Sequence, residues 1–188
     1  MDEHVPVENI LLATFTEKAA KELITRISNR TIEIGMPINI SDMLIGTLHS
    51  IFLRLLDEYR QYTTLKRNYR TLDGFDQQYL IYQNNKRFDE IDGIKLLLNN
   101  CETYLWSSAQ KLCSLVNKVS EENLDLDLLA KCENDKLKVL ATVVRTYRSI
   151  LAEENALDFS LIQTHFWHLL KNEEVLGKLR QRIRYLMV

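Results

Sequence analysis

Glycine and proline are scarce in this chain. Its 188 residues include five glycines and two prolines, the residue types that most often form turns and interrupt helices. Internal repeats and low-complexity segments are also missing, and no Gly/Ser-rich linker divides the sequence. Together with abundant Leu, Lys, Glu and Asn, this scarcity predicts a mostly helical chain with little β structure.

Long apolar runs are missing as well. No stretch approaches the roughly 18 uncharged apolar residues that a membrane span needs. The first six residues, Met-Asp-Glu-His-Val-Pro, are acidic and lack the apolar segment of a signal peptide. We therefore expect a cytoplasmic protein with no membrane partner.

Cysteine is limited to Cys101, Cys113 and Cys132. Their odd number and their spacing match no zinc pattern, so we expect buried free thiols on helices.

The formal net charge of −2 argues against a protein whose whole surface binds nucleic acid. A local basic strip stays compatible with that charge, because binding depends on the few cations placed at phosphates.

Two short apolar runs each pass directly into an amphipathic helix. The first, residues 10–13, ends in Thr14, Phe15 and Thr16, of which Thr16 can cap the next helix. The second, residues 43–45, ends in Gly-Thr-Leu-His-Ser at residues 46–50. Such runs are typical of strands covered on both faces of a parallel sheet, and successive strand-helix units build a doubly wound sheet. An aromatic side chain flanked by hydroxyls, at the carboxyl end of a strand, suits a base and its phosphate.

The rest of the chain predicts mostly helices. Residues 28–42, with Gly35 and Pro37 at the centre, predict a connection in which residues 31–34 could be extended. Beyond Tyr69 the pattern predicts no strand until residues 185–188. The predicted helices run from a cap at Asp73 to about residue 84, and then cover residues 101–119, about 134–153, a segment after residue 159, and about 174–182. Clustered acidic residues between 121 and 135 predict a solvated connection.

Five segments resemble, in the same order along the chain, parts of the UvrD/PcrA/Rep helicases of superfamily 1. Thr-Phe-Thr-Glu-Lys-Ala-Ala-Lys-Glu-Leu at residues 14–23 resembles motif Ia, and Ile-Gly-Thr-Leu-His-Ser-Ile-Phe at 45–52 resembles motif Ib. Tyr-Arg-Thr-Leu-Asp-Gly-Phe-Asp-Gln-Gln at 69–78 is similar to the start of the helical insertion subdomain 1B. Ala-Leu-Asp-Phe-Ser-Leu-Ile at 156–162 is similar to the return into the motor domain, and Arg-Tyr-Leu-Met-Val at 184–188 resembles the strand before the Walker B Asp-Glu.

The resemblance implies a fold that is mainly α with a small parallel β component. Residues 1–65 would form part of a P-loop NTPase, RecA-like α/β motor domain that carries motifs Ia and Ib. Residues 66–155 would form the all-helical 1B insertion subdomain. Residues 156–188 would return to the motor domain and end just before the Walker B position.

A phosphate-binding loop of the type Gly-x-x-x-x-Gly-Lys-Ser/Thr does not occur in these 188 residues. ATP chemistry needs this loop, because its amides and lysine hold the phosphates and its hydroxyl holds magnesium. We therefore expect a middle segment of a helicase with no ATPase activity, cofactor site, metal site or catalytic residue of its own. ATP and Mg²⁺ are expected for the intact parent, an ATP-dependent DNA helicase of DNA repair.

By the same resemblance, Thr14, Phe15 and Thr16 would contact single-stranded DNA. Phe15 would hold or stack a base, and the two threonines would form hydrogen bonds to phosphate. The alternative from the residues alone is that Phe15 is a core aromatic and both threonines are turn and cap residues. Glu17 stands where the best-known members have asparagine, and its carboxylate would weaken binding somewhat.

Motif Ib would supply further contacts to the DNA backbone. Thr47 and His49 would touch the strand, and Ser50 would cap the helix or act as a further donor. A histidine after a strand can also be a satisfied structural residue, which is the competing interpretation of His49.

A basic run follows motif Ib. Lys66, Arg67 and Arg70 would line the duplex-facing side of the insertion subdomain, with Tyr62 and Tyr69 between the cations as stacking platforms. The alternative is a solvated helix face with ion pairs.

Three further residues receive structural interpretations. Asp158, in the Leu-Asp-Phe signature, is expected to act as a helix N-cap rather than a DNA contact. Trp106 and Trp167 lie in helical patterns and are expected in the core or at a subdomain interface.

The expected partners are single-stranded DNA, single-strand/duplex junctions and the remaining helicase domains of the parent. Exposed edges of a half-built sheet could also cause self-association. Two other functions are alternatives to that of a helicase segment. One is a catalytically dead, helical protein-interaction module, and the other is part of an AddA/RecB-like helicase-nuclease, against which the short insertion argues.

Overall fold

The computed structural model describes residues 5–36 and 38–188. It divides the chain into two compact units, which we call unit 1 (residues 1–64 and 165–188) and unit 2 (residues 65–164). Within the described residues, no helix combines the length and the apolar character that crossing a membrane requires.

The chain is mainly helical with short strands, as the composition predicts. In chain order the elements are β1 (Ile10–Thr14), α1 (Glu17–Glu33), β2 (Leu44–Thr47), α2 (Leu48–Glu58), β3 (Arg70–Leu72), α3 (Gly74–Gln83), α4 (Asn85–Asp89), α5 (Ile94–Leu98), α6 (Trp106–Glu121), α7 (Leu126–Lys131), α8 (Asp135–Glu153), β4 (Ala156–Asp158), α9 (Phe159–Leu170), α10 (Glu173–Arg182) and β5 (Tyr185–Met187).

Unit 1 is built on a parallel sheet with the strand order β2-β1-β5. The predicted strands of the two apolar runs and of the C-terminal segment are confirmed. Leu44 is fully buried and Ala13 is 2% exposed, since helices α1 and α2 follow β1 and β2 and pack on the sheet. Three apolar residues of α2, namely Ile51, Leu55 and Leu56, complete the core of this unit.

The prediction of a connection from residue 28, extended at 31–34, is wrong. Helix α1 continues to Glu33 because no helix-breaking residue precedes Gly35, which adopts φ +70°. The amide of Gly35 donates to the carbonyl of Ile32 at 3.0 Å, and the amide of Met36 donates to that of Thr31 at 2.8 Å. These bonds to the last turn end the helix in the way that a glycine past its C-terminus allows. Pro37 lies outside the described residues.

Unit 2 is helical and has its own hydrophobic core. Phe88 of α4, Leu112 of α6 and Tyr147 of α8 are at most 1% exposed at its centre. The predicted cap at Asp73 is confirmed, since its carboxylate accepts the amide of Asp76 at 2.8 Å at the start of α3. The helix predicted for about residues 134–153 is confirmed as α8.

Several elements of unit 2 differ from the prediction. The pair of parallel strands β3 and β4 was not predicted, because three residues are too short to show an alternating pattern and their pairing is non-local. Helix α6 begins at Trp106, not at residue 101. The acidic segment predicted as a connection contains α7, whose cap Asp125 accepts the amides of Asp127 and Leu128.

All three cysteines are free thiols, but only Cys113 matches the expectation of burial on a helix. Cys101 is exposed and Cys132 is partly exposed, and both lie in turns between helices. Burial, together with the charge of Asp158, raises the pKa of Cys113 to about 11. This thiol therefore stays protonated and unreactive at neutral pH.

Asp158 caps α9, as predicted, and also lies at the centre of a buried polar network. It is 2% exposed. One carboxylate oxygen accepts the amide of Leu161 at 2.7 Å, and the other accepts the Tyr147 hydroxyl at 2.8 Å and the Gln77 amide at 3.1 Å. Burial and the Asp158 charge raise the pKa of Tyr147. One carboxylate thus joins β4, α3 and α8 to the start of α9.

We predict that Asp158→Ala costs about 2–4 kcal/mol of unfolding free energy, because it leaves several buried donors without an acceptor. Asp73→Ala is the matched control: that aspartate also caps a helix but is exposed and accepts one bond. Its loss should cost about 1 kcal/mol. Urea unfolding followed by circular dichroism measures both, and equal losses would contradict the structural role assigned to the buried network.

Candidate nucleic-acid interface

The carboxyl ends of β1 and β2 lie side by side in unit 1. Thr14 and Thr47, the last residues of the two strands, are partners in the parallel register. Helix α1 starts three residues beyond Thr14, and α2 starts directly after Thr47. Two helix N-termini, each with outward amides and a positive dipole end, therefore begin at the same edge of the sheet, an arrangement that favours anions.

Thr16 and Thr47 cap these two helices. The Thr16 hydroxyl oxygen accepts the amide of Ala19 at 3.1 Å, and that of Thr47 accepts the amide of Ser50 at 3.2 Å. Each hydroxyl uses a lone pair in this bond and keeps its hydrogen. Within residues 5–36 and 38–188 no group accepts either hydrogen, so both threonines can donate to a ligand oxygen.

Thr14 and Ser50 are placed differently. The Thr14 hydroxyl donates to the Thr16 carbonyl at 3.1 Å and is 9% exposed. The Ser50 hydroxyl donates to the Thr47 carbonyl at 2.8 Å. Both hydrogens are engaged inside the turns. The alternative that Ser50 caps α2 is therefore wrong, since Thr47 has that role.

Phe15 projects from the turn between the two threonines of motif Ia. Its side chain is 84% exposed, so the alternative of a core aromatic is excluded. The ring lines a cavity of about 530 Å³ whose other walls include Ala19, Leu23 and Met187. A flat, exposed aromatic face beside the Thr16 hydroxyl donor can stack a base while its phosphate is bound.

His49 is the second residue of α2 and is partly buried. Burial lowers its pKa below the usual value. At neutral pH the imidazole is therefore neutral, with one N–H donor and one acceptor. It therefore adds no full charge at this edge of the sheet.

The predicted basic residues Lys66, Arg67 and Arg70 are exposed and belong to unit 2, whereas the motif Ia and Ib residues belong to unit 1. The side chains of Arg67 and Arg70 form no ion pair with any described residue. Tyr62, expected to alternate with them as a platform, lies in unit 1. Its hydroxyl donates to Glu174, and Lys178 lies 5.5 Å from its ring.

The two tryptophans lie outside the buried core. Trp167 is 56% exposed, with the Lys171 ammonium 5.7 Å from its ring. Trp106 is partly exposed and contacts the rings of Phe75 and Tyr82. The exposed aromatic residues of α3 were not predicted, although their spacing along the helix was a visible signal.

No group of three or more His, Cys, Asp and Glu side chains in the described part of the chain is arranged to hold a metal ion. The arrangement of unit 1 offers hydrogen-bond donors, two helix N-termini and an aromatic face. These groups suit an anionic ligand that carries aromatic bases.

Comparison with known proteins gives consistent results. The family model described as UvrD/REP helicase N-terminal domain matches residues 1–188. The chain is 27% identical to the ATP-dependent DNA helicase SRS2 of Saccharomyces cerevisiae, in an alignment that covers 96% of the chain and 16% of that protein. It is 29% identical to a probable DNA helicase II homolog of Rickettsia conorii, over 96% of the chain and 26% of the relative.

A third relative is the ATP-dependent DNA helicase Rep of Buchnera aphidicola subsp. Schizaphis graminum. It is 27% identical in an alignment that covers 96% of the chain and 25% of that protein. The chain thus spans about a quarter or less of the length of these relatives.

We predict that Gly46→Ala destabilises the chain by about 1 kcal/mol, because the added Cβ would lie 2.5 Å from the Ser50 hydroxyl oxygen and break its bond to Thr47. In a Ser50→Ala background that oxygen is absent, so the same change should cost little. Thermal unfolding of the four variants of this double-mutant cycle measures the difference. An equal loss of stability in both backgrounds would show that the effect of Gly46→Ala does not come from a clash with the Ser50 hydroxyl.

Proposed function

Since the chain belongs to the UvrD/REP helicase N-terminal domain family, we propose that it forms one wall of a single-stranded DNA track in an ATP-dependent helicase. The observation that carries the proposal is the exposure of Phe15, 84%, at the strand edge where two threonine-capped helices begin. The relatives' names include DNA helicases, and the geometry of unit 1 suits a DNA strand.

In this proposal the residues of unit 1 have distinct roles. Phe15 stacks a base, and Thr16, Thr47 and His49 donate hydrogen bonds to phosphate oxygens. Thr14 and Ser50 act through the turns, because their hydroxyl hydrogens are already bound to main-chain carbonyls. The track is therefore formed before DNA arrives, which lowers the ordering cost of binding.

The carboxylate of Glu17 limits the affinity of this site. Glu17 is exposed in the first turn of α1, where the helix dipole favours an anion. The same charge repels a phosphate bound at the N-terminus of the helix. We therefore expect weak binding that depends strongly on salt.

Unit 2 consists mainly of helices, as expected for a helical insertion. We assign residues 66–155 to the 1B subdomain and residues 1–65 and 156–188 to the motor domain. Lys66, Arg67 and Arg70 would face the duplex at a single-strand/duplex junction. ATP and Mg²⁺ would be bound by other parts of the parent helicase, whose work we place in DNA repair.

The outer edge of β5 provides a place for the remaining helicase domains. Among the described residues β5 pairs with β1 alone, and Leu186 is 66% and Met187 49% exposed. An exposed apolar edge strand pairs readily with another strand. We propose that a strand of the parent helicase pairs here, and that without it a second copy of the chain can do so.

We predict that the chain binds a labelled single-stranded oligothymidylate of about 15 nucleotides at low salt, and that Phe15→Ala weakens this binding about tenfold, because stacking contributes ~1–3 kcal/mol per base. His49→Ala should weaken it as well, through the loss of one donor. Fluorescence anisotropy measures both changes.

Ile32→Ala is the matched control for Phe15→Ala. Ile32 is also a large apolar residue, 67% exposed, but it lies at the far end of α1, about 20 Å from the helix start. This change should leave the affinity unaltered. The absence of binding at low salt would favour a protein-interaction module. Unchanged affinity of the Phe15 and His49 variants would contradict the proposed DNA contacts of these two residues.

A further inference from the structure

Four aromatic residues form an exposed surface on unit 2, which we call the aromatic platform: Phe75, Tyr79, Tyr82 and Trp106. The first three follow one face of α3 at spacings of four and three residues, and Trp106 is the first residue of α6. Phe75 is 65%, Tyr79 45% and Tyr82 38% exposed. So large an exposed aromatic surface is unusual and indicates a binding site.

The rings of the platform contact one another in a continuous row. The Phe75 and Tyr79 rings are nearly parallel, with centroids 6.2 Å apart. Trp106 lies 5.7 Å from Phe75 and 5.6 Å from Tyr82. These contacts hold the rings in place, and three of the four side chains stay exposed while Trp106 is partly exposed. Ordered, open aromatic faces are the surfaces on which nucleobases stack.

Two arginines precede the platform closely in the sequence and indicate the charge of its ligand. Arg70 lies in β3, five residues before Phe75, and its Cα is therefore at most about 18 Å away. Arg67 and Arg70 are exposed, and neither side chain pairs with an acidic group in the described part of the chain. Residues 65–72 contain no acidic residue, whereas Asp73 and Asp76 lie at the start of α3, where they cap the helix or favour its dipole. Aromatic faces beside unpaired guanidinium groups fit the bases and phosphates of a single strand.

We propose that the aromatic platform is a second single-stranded DNA site, at which successive bases stack on Phe75, Tyr79 and Trp106 while Arg67 and Arg70 bind the phosphates. This inference rests on the proposed function, since it takes the same ligand, but it concerns other residues and the other unit. The site recognises the faces of the bases, so it accepts any base sequence.

Trp106 provides a direct signal for stacking at this surface. The chain has two tryptophans, so Trp167→Phe leaves Trp106 as the only indole. A stacked thymine quenches its fluorescence. We expect oligothymidylate to quench the emission of this variant, and an abasic deoxyribose-phosphate oligomer of the same length to leave it nearly unchanged.

Substitutions of matched size separate stacking from apolar contact. The double variant Phe75→Leu, Tyr79→Leu keeps an apolar surface but removes two aromatic faces, and it should bind oligothymidylate about tenfold more weakly. Tyr79→Phe keeps the ring, and its affinity should stay within about twofold of that of the unsubstituted chain. Leu128→Ala, at a residue of unit 2 that is 69% exposed, should have no effect.

The outcomes distinguish this inference from the proposed function. If Phe15→Ala weakens binding but the double leucine variant does not, the motif Ia contact stands and the platform site is overturned. If only the leucine variant weakens binding, the platform stands without the Phe15 contact. If the unsubstituted chain does not bind the oligonucleotide, both the Phe15 contact and the platform site are overturned. If the leucine changes leave binding intact but convert a dimer to a monomer in size-exclusion chromatography, the platform docks a second copy and the DNA site is overturned.

Discussion

The parallel register between β1 and β2 is the constraint on which the candidate site depends. It makes Thr14 and Thr47 partners at the ends of the two strands, so both following helices start at one edge of the sheet. Leu44, which is fully buried, holds this register, because a slip by one residue would turn it to the opposite face. The placement of both helix N-termini at one edge of the sheet follows from this pairing.

Hydrogen bonds within the turns then divide the polar residues into two kinds. Thr16 and Thr47 accept hydrogen bonds from amides of their own helices, so their hydroxyl hydrogens stay available for a ligand. Thr14 and Ser50 donate their hydroxyl hydrogens to main-chain carbonyls. The buried carboxylate of Asp158 performs the corresponding structural work in unit 2. Because these bonds are internal, the turns need no ligand to adopt their shape.

Local patterns predicted the strands at Ile10–Thr14 and Leu44–Thr47, since apolar runs, caps and turns are properties of neighbouring residues. For Phe15 the residues alone left a core position open, and the exposed position followed from the family resemblance. The pairing of β3 with β4 was missed because it joins segments far apart in the sequence. The aromatic platform was missed for a similar reason. Its α3 residues share one helix face, but the contact with Trp106 is made through the packing of α3 against α6.

Photocrosslinking tests the central claim, that Phe15 meets a base, most directly. A single-stranded oligonucleotide carrying 5-iodouracil would be bound to the chain at low salt and irradiated, and the linked peptides would be identified by mass spectrometry. The proposed contact predicts a crosslink at Phe15. Efficient crosslinking of bound DNA without any linkage in the peptide that contains Phe15 would contradict the account.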